Sequence, residues 1–448
     1  MMKRLTTGLA ALALAAGACS AATTTTAPPT INPSASHAPV TLTIWSFFTD
    51  RQLESFNQIL DDFHQRYPWI TLQSVPGKDV DDNNDIKRAI TSGSVPDVVV
   101  SPFPQDVARF CHTGGWQDLN PYIKQEHIDI SSIIPASALS YSGYQGNQCS
   151  LPMLSDAYGL YYNVDMLQKA GVTSPPTTIS QFTDLAKKLT QFNPDGSIKV
   201  AGFVPLLEGF YENQAINFGQ AYGATWYDST GTKSALASDP KWAEMLRWQK
   251  SLVDWYGYDK LQQFYASLGG PDSEWSAEQG FETGKIAMTM DGEWRVAFIQ
   301  SDATTVNYGT APFPAADDAS QMYGSGQIGG NTIGIPKGAK NPAEAWLLIK
   351  YLALDTFAEL DLANLLKNVP TTFDALKDPA LNSDPHFSTF MKIYANANSA
   401  YKQQTPIGDT DQTLFKNFIN KWQAGSVADL IAGLQQVAKQ IDDQNALG

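Results

Sequence analysis

Two stretches of the chain place carboxylates beside aromatic rings. The first, Leu151–Asn163, carries Asp156 followed by the adjacent pair Tyr161 and Tyr162. The second, Phe281–Trp294, ends with two carboxylates and a tryptophan. An aromatic ring can stack on the apolar CH face of a polyhydroxylated molecule, while carboxylates accept hydrogen bonds from its hydroxyl groups. This combination therefore indicates a site for such a molecule.

Both stretches have the pattern of a buried strand that carries these side chains. Neighbouring residues on a strand point to opposite faces, so one of the two tyrosines is expected in a core and the other at a cleft. The pattern does not decide which. In the second stretch Gly284 ends a helix, a buried strand follows, and a tight Asp-Gly turn presents Trp294.

The body of the chain begins with alternating strands and helices. The residues 40–45 alternate in hydropathy and predict a strand, while apolar residues at helical spacing predict a helix from about 53 to 67. A strand over 70–75, a helix over 82–92 and a strand near 97–100 follow. This order favours a doubly wound α/β fold, in which ligands bind beyond the carboxyl ends of the strands.

Later segments are predominantly helical. Thr178 and Gln181 have the spacing of a capping box at the start of a helix. Residues 208–290 are helical and rich in aromatic side chains, and Trp242 shares one helix face with Leu246, which predicts that it lies in the core. Two amphipathic helices are predicted between 409 and 444.

Composition narrows the possible partners. The chain has 448 residues, enough for two or three domains, with 30 basic and 45 acidic residues and a formal net charge of -15. This charge argues against a nucleic-acid partner and against broad attraction to an anionic lipid surface. Aromatic residues make up 11% of the chain, an ample supply of stacking surfaces.

The N-terminus predicts export. Residues 1–19 combine a basic start, a short apolar run and the small residues Ala16-Gly-Ala18, followed by Cys19. This pattern resembles a bacterial lipoprotein signal, although Ala16 stands where that motif usually has leucine. Cys19 would then be the lipidated first residue of the mature protein; a plain secretory signal is the alternative. Residues 20–39 are rich in Ala, Thr, Pro and Ser and predict a flexible tether.

Cys111 and Cys149 are the other two cysteines. Export would place them in an oxidising compartment, so a disulfide is expected, with two buried thiols as the alternative. The histidines are scattered without ligand spacing, and the acidic loop Asp79–Asp85 lacks the glycine and final glutamate of an EF-hand. Neither a metal nor a cofactor is expected.

The two stretches resemble family 1 extracellular solute-binding proteins, the substrate receptors of ABC-type sugar importers. In the first stretch the resemblance rests on Pro152, the apolar run and Tyr162-Asn163. In the second it rests on Phe281, Gly284-Lys-Ile-Ala-Met288 and Gly292-Glu-Trp294. Matching positions extend over nearly all of 40–440, including Trp45, Pro96-Asp97, 306–314, 329–336 and 342–346.

The resemblance implies a periplasmic-binding-protein-like fold of two α/β lobes with a ligand cleft at the hinge. The N-terminal lobe is expected to comprise 40–153 and 310–340, and the C-terminal lobe 156–306 and 341–448. It also implies a non-catalytic, monomeric carbohydrate receptor that delivers its ligand to the permease subunits of an ABC transporter. Such a receptor would be extracytoplasmic and held to the outer face of the cell membrane through a lipid anchor only.

The ligand contacts implied by the resemblance and by the predicted strand ends are Trp45, Phe47, Asp50, Ser101, Asp156, Tyr161, Tyr162, Trp226, Trp275, Asp291, Glu293, Trp294, Gly330 and Asn331. Trp294 is implied to stack on the sugar. Its replacement by alanine is therefore expected to remove most of the affinity and to leave the melting temperature nearly unchanged.

Two alternatives remain open at the level of sequence. Pairs among Asp156, Glu278, Asp291 and Glu293 could supply the acid and base of a secreted carbohydrate-active enzyme. The ligand could also be a non-sugar solute such as a glycerophosphodiester or a peptide. Thr371-Thr372 stand after Pro370 where relatives often carry an arginine, which disfavours a phosphate-bearing ligand.

Overall fold

The computed structural model describes residue 28 and residues 31–78, 83–210, 213–302 and 305–447. The predicted signal peptide with Cys19, half of the tether, and residues 79–82 of the acidic loop lie outside these ranges. Within the described ranges, no helix combines the length and the apolar character that crossing a membrane would require.

The strands are β1 (Val40–Ser46), β2 (Ile70–Val75), β3 (Val98–Ser101), β4 (Leu151–Asn163), β5 (Gln191–Phe192), β6 (Ile198–Val200), β7 (Met288–Gly292), β8 (Tyr308–Ala311) and β9 (Ile328–Gly334). The helices are α1 (Asp50–Arg66), α2 (Asn84–Ser92), α3 (Val107–Thr113), α4 (Asn120–Gln125), α5 (Ile130–Ile133), α6 (Ala136–Ser142), α7 (Val164–Lys169), α8 (Ile179–Leu189), α9 (Ala215–Tyr222), α10 (Pro240–Tyr256), α11 (Tyr258–Ser267), α12 (Arg295–Ser301), α13 (Pro342–Leu354), α14 (Thr356–Leu366), α15 (Phe373–Leu376), α16 (Pro385–Tyr394), α17 (Thr410–Gln423) and α18 (Leu430–Asn445).

One mixed sheet runs through the molecule. Its strands follow the order β2-β1-β3-β9-β4-β7, and β8 pairs with β4 as well. β1 pairs in parallel with β2 and β3, as the alternating strands and helices predict. β9 and β4 enter antiparallel to their neighbours. The small β5–β6 hairpin stands apart from this sheet.

Strand β4 belongs to both halves of the sheet. Its residues 151–157 pair with β9, whereas 158–163 pair with β7 and β8. Two separate cores flank it. The first lobe is built around the core that includes β1, α1 and the start of β4, and the second lobe around the core that includes α8, α9, α10, α17 and α18. The strand therefore connects the two lobes directly.

The helices α13 and α14 lie in the first lobe, in contrast to the expectation that all of 341–448 belongs to the second. Trp346 and Leu352 are buried in the same core as Leu42, Ile44 and Phe63. The physical reason is that β9 ends in the first lobe at Gly334, so the apolar helices that follow cover the nearest open face of its sheet. The helices from α17 onward do pack in the second lobe.

Several local predictions agree with the structure. The helix expected from 53 to 67 is α1, and the hydroxyl of Thr178 accepts a hydrogen bond from the backbone N–H of Gln181 at 3.3 Å at the start of α8. Trp242 is fully buried on α10. Short-range sequence patterns thus predicted these elements correctly, because the residues that form each pattern lie within a few positions of one another.

A disulfide joins Cys111 on α3 to Cys149 just before β4, with the two Cα atoms 5.5 Å apart. The two cysteines are separated by 38 positions in the sequence, so the disulfide closes a loop of that length. Replacing both cysteines by serine is expected to lower the free energy of unfolding by about 2–4 kcal/mol, because the unfolded chain regains the freedom of that loop. Urea unfolding of the wild type with and without a thiol reductant, beside the double variant, measures this. A wild type insensitive to full reduction would contradict the prediction.

Candidate ligand-binding cleft

Three joined cavities lie where the two lobes meet, with volumes of about 320, 370 and 370 Å³. The first and second cavities share Pro102, Phe103 and Asp156. The second and third share Thr49, Gln52 and Trp275. Each volume falls in the range usual for small-molecule sites. Together they form one continuous cleft with Asp156 at the junction of the first two cavities.

The first-lobe wall of the cleft is made by segments that follow parallel strands. The residues after β1 contribute Phe47, Thr49 and Gln52, and those after β3 contribute 102–105. These are the strand ends that the sequence predicted at a cleft rim, because side chains beyond the carboxyl ends of parallel strands converge on one edge. The opposite wall comes from the starts of α9 and α17, from Trp275 and from Trp294.

A pair of carboxyl groups stands at the centre of the cleft. The side-chain amide of Asn368 donates to Asp156 Oδ1 at 3.0 Å and to Glu293 Oε1 at 2.8 Å, and Glu293 Oε2 accepts from the backbone N–H of Ala157 at 2.8 Å. Glu293 is fully buried behind Asp156. Burial raises the pKa of Asp156 to about 7 and raises the pKa of Glu293 well above its usual range.

Two tryptophans face the second cavity. Trp294 is 6% exposed and meets Tyr158 edge-on with ring centroids 5.8 Å apart. Trp275 is 49% exposed, and its ring is inclined by 32° to that of Trp294 at a centroid distance of 6.4 Å. A Cβ atom at Gly292 would lie 2.3 Å from the Trp294 ring, so the glycine permits this packing. The pair forms an apolar wall next to the carboxyl and amide groups.

The tryptophan wall is supported from below by a buried arginine. Arg295 Nε donates to Asp291 Oδ2 at 2.7 Å, and its Nη1 donates to Glu282 Oε1 at 3.2 Å. Its Nη2 donates to the backbone carbonyl of Glu274 at 2.7 Å, directly before Trp275. All three charged side chains are almost inaccessible to solvent. The cluster thus connects the segment that carries Trp275 to the helix that follows Trp294.

Seven of the fourteen predicted contacts line the cleft: Phe47, Asp156, Trp226, Trp275, Trp294, Gly330 and Asn331. Glu293 lies directly behind Asp156 and reaches the cleft through Asn368. Gly330 has a φ of 139°, and a Cβ there would meet the carbonyl of Leu154 at 2.2 Å, so only glycine suits this close approach.

The structure does not bring the other predicted contacts to the cavities. Tyr161 is fully buried and donates to the Gly292 carbonyl at 2.9 Å, whereas Tyr162 packs half-buried beside the second-lobe core. Both tyrosines of the pair are therefore supports of the sheet, and neither faces the cleft. Ser101 is buried and donates to Asn83 Oδ1 at 2.5 Å.

Two further expected contacts have other roles, and one is not described. Asp291 forms an ion pair with Arg295 and is buried, so its carboxylate does not reach the cleft. Trp45 packs beside Lys78, whose Nζ lies 5.1 Å from the ring centroid. The side chain of Asp50, at the start of α1, lies outside the described residues. Glu278, an alternative acid or base, is exposed and lines none of the three cavities.

Asn368 was not predicted from the sequence. It follows α14 and lies far along the chain from Asp156, in a segment tied to β4 through reciprocal backbone hydrogen bonds between Ser155 and Val369 at 2.7 and 3.0 Å. No local pattern marks such a residue, because its role arises only when the chain returns to the cleft. Glu208 in the first cavity has a positive φ of 60°, an uncommon conformation that only coordinates reveal.

The chain resembles known binding proteins in sequence. The profile of bacterial extracellular solute-binding proteins matches residues 49–359, more than half of the chain. A probable ABC transporter-binding protein of Deinococcus radiodurans is 23% identical over 294 residues, which span 61% of this chain and 66% of that protein. The chain thus matches slightly less than two thirds of this relative. A multiple sugar-binding protein of Streptococcus mutans is 24% identical over 324 residues, 69% of this chain and 71% of that protein.

Solved structures agree with the fold. The protein CpMnBP1, solved with mannotriose bound, superposes on this chain with a TM-score of 0.79 at 25% sequence identity. The superposition covers 91% of this chain and 100% of CpMnBP1. The two-lobed arrangement around a cleft is thus that of the periplasmic-binding-protein-like fold. The chain belongs to the bacterial extracellular solute-binding proteins.

Proposed function

We propose that this protein captures a sugar or oligosaccharide outside the cytoplasm and delivers it to the permease subunits of an ABC transporter. The observation that carries the proposal is the second cavity, where Trp294 and Trp275 face the hydrogen-bonding groups of Asp156, Asn368 and Asn331. A sugar offers an apolar face to such rings and hydroxyl groups to such acceptors and donors. The mannotriose-bound and multiple-sugar-binding relatives support the same ligand class.

The arrangement favours binding over catalysis. The two cleft carboxyls are joined through the amide of Asn368 and stand side by side rather than on opposite sides of an open space. A glycosidase requires an acid and a base or nucleophile on either side of the bond to be cleaved. We therefore propose that the bound sugar is released unchanged.

Calorimetric titration against a panel of ligands tests the proposal. The panel comprises glucose, maltose, maltotriose, mannobiose, mannotriose and a glycerophosphodiester. We expect at least one saccharide to bind and to be recovered intact by chromatography. Binding of the phosphodiester alone would replace the sugar by another solute class, and shortened saccharide products would indicate an enzyme.

Membrane attachment through Cys19 is the second part of the proposal. The evidence is the run of small residues directly before this cysteine and the polar tether that follows it. Expressed with its own leader in a bacterial host, the wild type is expected in the membrane fraction. Cys19→Ser is expected in the aqueous phase after detergent phase separation. The double variant Cys111→Ser with Cys149→Ser serves as the control, since it removes the other two cysteines and keeps Cys19. Equal partitioning of Cys19→Ser and the wild type would contradict the anchor.

A further inference from the structure

The carboxyl pair at the centre of the cleft is held by one amide nitrogen. Asn368 Nδ2 donates to both Asp156 and Glu293, at 3.0 and 2.8 Å, so the two carboxyls lie within reach of a single side-chain amide. They come from distant parts of the chain, β4 and the turn after β7, and meet only in the folded protein. Two ionised carboxylates so close together in a low-dielectric interior repel each other strongly.

One proton shared by the pair removes this repulsion. Burial leaves Asp156 9% exposed and Glu293 fully enclosed, so water screens their charges poorly. A protonated carboxyl can donate a hydrogen bond to an ionised neighbour, and both of these carboxyls already accept from the one amide nitrogen of Asn368. The remaining charge stays available to accept a hydrogen bond from a ligand hydroxyl, because Asp156 lines both the first and the second cavity.

We propose that Asp156 and Glu293 share one proton when the ligand is bound, so that ligand capture is linked to the retention or uptake of a proton. The inference rests on the proposed sugar-binding function and adds a means of regulation to it. Asp156 keeps a small exposed area on the cavities, and a ligand that fills the second cavity covers it, so the doubly ionised pair loses the little screening that water still provides. The ligand therefore binds more tightly to the protonated form.

No cation among the surrounding described groups is placed to neutralise the repulsion between the two carboxylates in place of this proton. The titratable or charged groups around the pair or along its cavities are Tyr141, Tyr158, Tyr161, Glu208, Asp291, Arg295, Glu359, Tyr401, Asp409 and Lys416. Among them Arg295 is directed to Asp291 and Glu282. Lys416 is exposed, lines the first cavity as Glu208 and Asp409 do, and acts electrostatically on Glu208. The nearest groups are thus acidic, phenolic or already engaged.

The sign of the pH dependence follows from linkage. Burial raises the pKa of Asp156 to about 7 in the folded protein, well above its ordinary value, and raises that of Glu293 too. The folded protein consequently holds more protons than the unfolded chain above the ordinary carboxyl pKa. The contribution of the pair to stability is full at low pH and is lost as the pH rises through about 7. Ligand affinity follows the same direction, since the ligand prefers the protonated form.

The decisive experiment is titration calorimetry of the wild type with its best-binding saccharide from pH 5.5 to 9, in buffers of different ionisation enthalpy. We expect nearly constant affinity below about pH 6 and a decrease approaching tenfold per pH unit above the pKa of the pair, as one linked proton requires. Proton uptake on binding should rise from near zero at low pH toward one. A pH-independent affinity without proton uptake would overturn the inference and leave the proposed function intact. Absence of saccharide binding at every pH would instead refute the proposed function.

A variant and a control attribute the effect to the pair. Glu293→Gln keeps a hydrogen-bonding side chain of the same length but cannot ionise, so its affinity should vary little with pH. Asp361→Asn removes a carboxyl whose pKa is also raised, by burial and by nearby Asp62, outside the cleft, and should keep the wild-type slope. An unchanged slope in a folded Glu293→Gln protein would overturn the assignment. If that variant fails to fold, the proton uptake of the wild type still decides the question.

Discussion

Replacing Trp294 by alanine is expected to weaken saccharide binding by roughly 1–3 kcal/mol, the range found for aromatic platforms that stack on flat ligands. The same change is expected to lower the free energy of unfolding by about 3–5 kcal/mol, because it leaves a cavity where a large ring was packed. The ring is only 6% exposed and contacts Tyr158. The sequence alone suggested that the melting temperature would hardly change, and this burial corrects that expectation.

Trp275 separates stacking from stability. It is 49% exposed and faces the same cavity, so Trp275→Ala is expected to reduce affinity with little change in melting temperature. Trp255, 39% exposed on α10 and outside the three cavities, provides the control that should alter neither property. Calorimetry and thermal unfolding of the three alanine variants measure both effects. Unchanged affinity in both cleft variants would remove the tryptophan wall from the binding site.

Replacing Arg295 by methionine is expected to destabilise the fold by about 3–5 kcal/mol, because it leaves Asp291 and Glu282 as buried acids without their cation. The loss should be largest at neutral and alkaline pH. Burial already raises the pKa of Glu282, which the cation of Arg295 opposes, so losing the cation raises this pKa further and the penalty for the ionised acid appears as the pH rises. Ligand affinity should fall as well, since Arg295 holds the carbonyl of Glu274 beside Trp275.

Arg66 offers the matched control. It pairs with Asp355 at 2.6 Å on the surface, with the two side chains 44% and 29% exposed. Exposed pairs contribute about 0–1 kcal/mol, so Arg66→Met should change the free energy of unfolding far less. Urea unfolding at pH 5.5 and 8 compares the two variants. Equal losses, or an Arg295→Met loss that does not grow with pH, would contradict the role given to the buried cluster.

The sequence predicted those parts of the fold whose signals are local. The parallel arrangement of β1, β2 and β3 and the helix α1 follow from periodicity over a few residues. The placement of α13 and α14 could not be predicted in this way. An apolar helix can cover either of two lobes, and only the end point of β9 in the first lobe decides between them.

The candidate site shows the same division. Trp294 and Asp156 lie in motifs that can be found in the sequence, and both line the second cavity. The alternation of Tyr161 and Tyr162 correctly indicated opposite faces. It could not reveal that Phe281 and Phe390 pack around one ring while Gly309 lies against the other. The sequence predicted a ligand contact at Asp291 as well as at Asp156. In the structure the carboxylate of Asp291 is buried in an ion pair with Arg295 and does not line the cleft.

Strand β4 has one more consequence. It changes partners near Asp156, pairing with β9 up to residue 157 and with β7 and β8 from 158 onward. If the lobes rotate toward each other, the hinge lies where β4 changes partners. Asp156, which would accept a hydrogen bond from the ligand, would then lie at the hinge itself. A residue at the hinge moves little when the lobes rotate. Closure would therefore change the outer ends of the cleft, while the contact between Asp156 and the ligand at its centre stays the same.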